Sequence, residues 1–173
     1  RLRFLDQNFM LLSGQVFSDI SAPVDELSSA EFKPAKVIIT ENEMTFLTLP
    51  VVKKALGIFG RGFSVSLLQK ISWLKDCRIY YWGDLDAQGF QILSSLRSHY
   101  PDVQSLMMDQ ETFMAFKKFT VTGKDCAVCT LPNLTEEESE MFRYLAVHQL
   151  RLEQERISHG YMLEKMAEIS QLR

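Results

Sequence analysis

Only three of the 173 residues are cysteine: Cys77, Cys126 and Cys129. An odd, low count excludes a disulfide-stapled scaffold and suits a reducing cytoplasm. Cys126 and Cys129 form a lone C-x-x-C, and the sequence offers no second pair to complete a structural zinc site. Histidine is equally scarce. His99, His148 and His159 stand far apart with no ligand spacing between them, so structural or exposed roles are the plain reading; His148 could serve a proton only if it reaches a site. No apolar run approaches the length of a membrane span, and no signal-peptide pattern opens the chain. Repeats and low-complexity tracts are missing too. Positive charge is in deficit: 19 Lys and Arg against 22 Asp and Glu leave a formal net charge of −3. A self-sufficient nucleic-acid binder carries a basic footprint, so a DNA substrate would need basic surface on another segment or a partner. The opening RLRFLDQNF, without an initiator Met, reads as the start of a fragment.

What is present suffices for one globular domain with a core: 46% hydrophobic residues and 24% charged. The apolar, β-branched run at 36–40 predicts a buried strand. ENEMTFLTLP predicts a helix stopped by Pro50. A second strand ends at GIFGRG, and the apolar spacing over 63–74 predicts a helix. CRIYYWGD reads as a third strand, AQGFQILSSLRSHYP as an amphipathic helix closed by Pro101, VQSLMMD as a fourth strand and QETFMAFKKF as a helix. This alternation predicts an α/β domain with a parallel four-stranded sheet in the order 2-1-3-4 and right-handed crossovers. Residues 34–120 form its core, 1–33 a lead-in segment packed on it, and 121–173 a C-terminal helical extension. There, Thr135 with Glu138 offers a capping box for a long helix reaching about Arg156.

The chemistry lies in the carboxylates. Glu41 follows the first strand; Asp84 and Asp86 follow the third. Ligands of open α/β sheets bind beyond the carboxyl ends of strands, where the strand order reverses. The expected order sets strands one and three side by side, so the three acids converge. Acids so gathered repel unless a cation sits among them, and magnesium accepts a few carboxylates, waters and phosphate oxygens.

VIITENEMTF resembles the first-strand signature of Toprim domains, and GDLDAQG resembles their D-x-D motif with its trailing glycine. FGRGF resembles the glycine turn of the DNA-cleaving subunits of type IIB topoisomerases and Spo11-like proteins. RFLD, ENEMTFLTLP, YYWGDLDAQGF, LMMD and RLEQERI, in that order, are similar to the C-terminal domain of JetD, the nuclease subunit of Wadjet plasmid-defence systems. The resemblance implies a Toprim fold and divalent-metal-dependent DNA cleavage with Mg2+ (or Mn2+). It makes Glu41, Asp84 and Asp86 the metal and catalytic residues, and Gly60 and Gly62 turn glycines. It also implies double-stranded, circular plasmid DNA as substrate and an SMC-like motor complex as partner. A cytoplasmic homodimer without membrane association is expected. Arg61 stands where the topoisomerases have Lys, as a phosphate contact or a solvated surface residue. Those enzymes need a catalytic Tyr from another domain, and none is identifiable here, which favours hydrolysis over transesterification.

Secondary candidates remain open. Glu43 leans into the crevice, or points away if the chain is already helical. Asp109 adds a ligand or caps the helix at Gln110. On the long C-terminal helix, Glu153 either pairs with Arg156 or, like Glu155, reaches the metal crevice. The rival reading is a non-catalytic Toprim-like module that binds DNA or a partner through the same crevice. A phospho-acceptor domain ranks last, because Gln110 follows Asp109 where that fold needs a Lys.

Overall fold

Residues 36–40 are buried at every position, as a β-branched run must be in a sheet covered on both faces. The computed structural model describes residues 1–60, 65–128 and 130–171. In chain order its elements are β1 (Leu2–Phe4), α1 (Gln7–Leu12), β2 (Asp19–Ile20), α2 (Val24–Ser29), β3 (Lys36–Thr40), α3 (Glu43–Thr48), β4 (Ala55–Phe59), α4 (Val65–Leu68), β5 (Arg78–Trp82), α5 (Ala87–Arg97), β6 (Gln104–Ser105), α6 (Gln110–Phe116), β7 (Val121–Thr122), α7 (Glu136–His148), β8 (Leu150–Arg151) and α8 (His159–Gln171).

The main sheet runs β2-β1-β4-β3-β5-β6. Strands β4, β3, β5 and β6 are parallel, while β1 joins the β4 edge antiparallel and β2 pairs with β1. The sheet is therefore α/β and mostly parallel, with six strands where four are expected. The lead-in segment is part of it: Leu2 and Phe4 are buried against β4. A second correction concerns 63–74. Among the described residues helix α4 covers Val65–Leu68 and a 3-10 turn over Ser72–Asp76 follows; residues 63 and 64 lie outside the described residues. Trp73 and Leu74 are nonetheless buried, so the apolar spacing reports burial rather than one continuous helix. No helix among the described residues is long and apolar enough to cross a membrane.

The core lies on both faces of the sheet. Tyr80, Tyr81 and Trp82 are at most 2% exposed, which makes this aromatic run interior rather than a base-stacking platform. At the start of β3 the buried Lys36 donates from Nζ to the Ile169 carbonyl at 2.9 Å, tying α8 to the sheet.

The long helix expected to reach Arg156 ends at His148. Gln149 takes the left-handed conformation (φ 49°, ψ 49°), an ordinary helix stop, though glycine is the usual residue there. The chain then turns into β8, which pairs antiparallel with β7. Leu152 bridges to Leu85 by two backbone hydrogen bonds of 3.0 Å. This return draws residues 150–156 across the loop after β5. The capping box is present as expected, with the Thr135 and Glu138 side chains each accepting from the other's backbone N–H.

Candidate functional site

Strands β3 and β5 are parallel neighbours whose last residues, Thr40 and Trp82, pair in register. The chain therefore leaves both strands at one edge of the sheet, and that edge receives Glu41, Asp84 and Asp86. Asp86 is the N-cap of α5, and its Oδ1 accepts the Gly89 N–H at 2.7 Å. A Cβ at Gly89 would overlap the Asp84 carbonyl oxygen. The trailing glycine thus lets α5 press directly onto the carboxylate loop.

Glu41 accepts a hydrogen bond from the fully buried Tyr81 hydroxyl at Oε1. Burial pushes its carboxyl up to about 7, and the Asp84 and Asp86 charges add to the rise, against the pull of Tyr81 and Arg151. Burial also raises Asp86; the Gly89 N–H opposes the rise and Asp84 adds to it. The charges of the three acids thus act on one another at this edge.

The returning segment supplies what sequence reasoning missed. Arg151 donates to Asp84 Oδ2 from Nη2 at 2.6 Å and from Nε at 3.0 Å. Its Nε lies 3.6 Å from Asp86 Oδ2, and its Nη1 3.6 Å from Glu153 Oε1. Gln154, only 1% exposed, clips the two strand ends together. Its backbone N–H donates to Asp84 Oδ1 at 2.8 Å. Its carboxamide donates to the Trp82 carbonyl and accepts the Asn42 N–H, each at 3.0 Å. The only signal for either residue is the RLEQERI string, in which the glutamates are the more obvious metal ligands.

Neither glutamate lies on a long helix: Glu153 precedes the 3-10 turn Gln154–Arg156 as its N-cap, and Glu155 lies within it. Glu153 contacts Arg151 and, at 3.4 Å, Arg156, the structural pair that the sequence allows. Glu155 accepts from Asn42 Nδ2 at 2.7 Å. Glu43 lies on α3 and pairs with Arg1. Asp109 caps α6, accepting the Thr112 N–H at 2.7 Å. His148 is exposed and lies against the Tyr144 ring, centroids 4.6 Å apart. Gly60 is not left-handed. It is needed for close approach, since a Cβ there would stand 3.1 Å from Ile39 Cγ2. Arg61, Gly62 and Cys129 lie outside the described residues.

The donor chemistry suits a hard divalent ion: carboxylate oxygens only, with Glu41 and Asp86 raised first by burial and then by their acidic neighbours. Two buried polar atoms at the same strand ends, Thr40 Oγ1 and Trp82 Nε1, have no partner among the described residues. Placement is a separate matter. Among the described residues no group of three His, Cys, Asp or Glu is arranged to hold a metal, and Arg151 takes the Asp84 oxygen that an ion would use. By residue type the set suits an ion; in the arrangement described, the Arg151 guanidinium stands on Asp84 instead. A cleft of about 200 Å3 opens beside Asp86, lined by Gln91, Lys124 and Cys126.

The family model described as Wadjet protein JetD, C-terminal, matches residues 1–166. That span includes the three carboxylates and the whole returning segment. No curated protein matches the chain.

Proposed function

The chain belongs to the family of the Wadjet protein JetD C-terminal domain, and from that premise we propose that it is the catalytic, Toprim-type domain of a plasmid-defence nuclease that hydrolyses DNA phosphodiester bonds. The observation that carries this reading is the coupled cluster of Glu41, Asp84 and Asp86 at the carboxyl edge of β3 and β5. Membership makes the chain a component of a defence assembly. The substrate we assign is closed-circular duplex DNA presented by an SMC-like motor, with a homodimer of this subunit at the cut.

Asp84 and Asp86 are the residues that would hold magnesium, or manganese in its place, with Glu41 at the margin and Glu153 or Glu155 available from the rim. A bound ion supplies Lewis acidity at the scissile phosphate and a more acidic water. The protein does the rest. Asp86 is oriented by the Gly89 N–H. Glu41 keeps Oε1 on the Tyr81 hydroxyl, which leaves Oε2 to take a proton from the attacking water, at a proton affinity matched to neutral pH. Arg151, once off Asp84, can pair with a phosphate oxygen in charge-assisted geometry. Lys124 stands beside Asp86 for a neighbouring phosphate.

The Arg151 clasp also favours a second reading. A guanidinium that neutralises Asp84 and Asp86 in place of an ion suits a non-catalytic module, in which the crevice only binds. Supercoiled-plasmid cleavage by the full-length protein with its partner subunits and magnesium separates the two. Asp84→Ala and Glu41→Ala are each expected to lower cleavage at least about 100-fold in protein that circular dichroism shows to be folded. Calorimetry on the isolated chain provides the control. Arg151→Ala should bind magnesium severalfold more tightly than the parent, because the competing cation is gone. Full cleavage by a folded Asp84→Ala protein would discard the catalytic reading, and no magnesium binding by either chain would favour the binding module.

A further inference from the structure

Between α6 and α7 lies a groove of about 840 Å3 that includes none of the carboxylates of the site. Its floor is apolar: Met108, Phe113 and Met141 are each under a tenth exposed. Its rim is apolar too, with Met114 57% and Tyr144 38% exposed. Unbranched thioethers repack easily around an incoming side chain, and half-exposed rim residues mark an open trough rather than an enclosed small-molecule cavity.

The charge around this trough has one sign. Asp109, Glu111, Glu137 and Glu140 line it, and among the described residues no Lys, Arg or His does. Glu138, also in the wall, is satisfied by Arg97, Ser105 and the Thr135 N–H. Glu111 meets Lys165 at 3.0 Å. Glu137 and Glu140 are exposed, and neither is in a salt bridge among the described residues. We infer that the α6–α7 groove docks a basic amphipathic helix of another protein subunit, its apolar anchors against Met114 and Tyr144 over the Met108, Phe113 and Met141 floor and its Lys or Arg residues against Glu137 and Glu140.

Each part of that occupant follows from the groove. An amphipathic helix presents anchors at i, i+3, i+4 and i+7 to such a trough. An acidic rim selects positive flanks and repels a phosphate backbone. A second copy of this chain is a poor donor, because none of its described α-helices carries more than one Lys or Arg. The proposal concerns assembly and stands whether or not the carboxylate cluster cuts DNA.

The test is a photo-cross-linking amino acid at position 114 of the full-length protein, co-expressed with the other subunits of its assembly, followed by mass spectrometry of the cross-linked peptide. A cross-link to a basic amphipathic segment of a different subunit is expected. It should fall at least tenfold in a Glu137→Lys/Glu140→Lys protein that remains folded and still cleaves DNA in its assembly or, lacking that activity, keeps the circular dichroism of the parent. A cross-link to a second copy of the chain, to DNA or to nothing overturns the proposal. So does a yield indifferent to the charge reversal.

Discussion

Glu41 and Asp84 sit at the same rim, yet their negative charge is handled differently. Asp84 receives a guanidinium and the Gln154 N–H. Among the described residues the hydrogen-bond donor to the Glu41 side chain is the neutral Tyr81 hydroxyl, and the carboxyl rises to about 7 from an ordinary 4.5. A folded-state value above the unfolded one means that the folded protein binds the extra proton between those two points. The Glu41 contribution to stability without metal is therefore fully present below about 4.5, is lost as pH climbs through 7, and is flat above that. The loss is on the order of 2–3 kcal/mol, since each tenfold change in proton affinity is worth about 1.4 kcal/mol and partial solvent access reduces the sum. Urea midpoints at pH 5 and pH 8 in chelator should show the decline in the parent chain and its absence in Glu41→Gln. Parallel profiles for the two proteins would mean that the Glu41 charge is solvated. Bound divalent ion reverses the sign, because it favours the ionised carboxyl.

The elements around the site are fastened by a second polar cluster well inside the fold. Arg97, at the end of α5, donates from Nη2 to Glu138 of α7 at 2.9 Å, from Nε to the Val103 carbonyl at 2.8 Å and from Nη1 to the Asn133 carbonyl at 3.0 Å. Both side chains are about 10% exposed (11% and 10%). Burial alone would raise Glu138, but the Arg97 hydrogen bond leads a set of contacts that brings it below its ordinary value. Removing one partner strands a desolvated charge, so Arg97→Met should cost about 3–4 kcal/mol in chemical denaturation. A loss under about 1 kcal/mol would show that water reaches Glu138 freely. The same elements show what the sequence reveals and what it hides. Strands β3, β4 and β5 are legible because five-residue apolar runs flanked by turn residues have few alternatives, and they carry Glu41, Asp84 and Asp86 to one edge. Strands β1 and β2 are three and two residues long, too short for a period to register, and are fixed only by pairing along β4. The 149–156 return reads as helix in the sequence because its apolar spacing continues in phase past His148. Its stop is a left-handed Gln149, a residue that carries no stop signal of its own. That single dihedral places Arg151 and Gln154 in the site, which is why neither is foreseeable from the pattern.

At the scale of the molecule, the charge balance constrains how such a site can meet its substrate. A net charge of −3, with three carboxylates gathered at one rim, repels a phosphate backbone until cations intervene. Affinity for duplex DNA grows with the number of phosphates neutralised, and so does its steepness in salt. Among the described residues Lys124 and Arg151 stand near the rim, enough for one or two phosphates. Its binding to a linear duplex in chelator is therefore expected to be no tighter than about 10⁻⁴ M at physiological salt, the weak end of non-specific binding, with a log–log salt slope of about −1 to −2. Magnesium should strengthen that binding by relieving the repulsion at Asp84 and Asp86. The complete assembly, with basic surface on other subunits, should bind far more tightly and with a much steeper slope. Fluorescence anisotropy at 50 and 200 mM salt measures both quantities. Submicromolar binding by the isolated chain in chelator, with a slope of six or more phosphates, would mean that the basic footprint lies within these 173 residues and that delivery by partners is unnecessary.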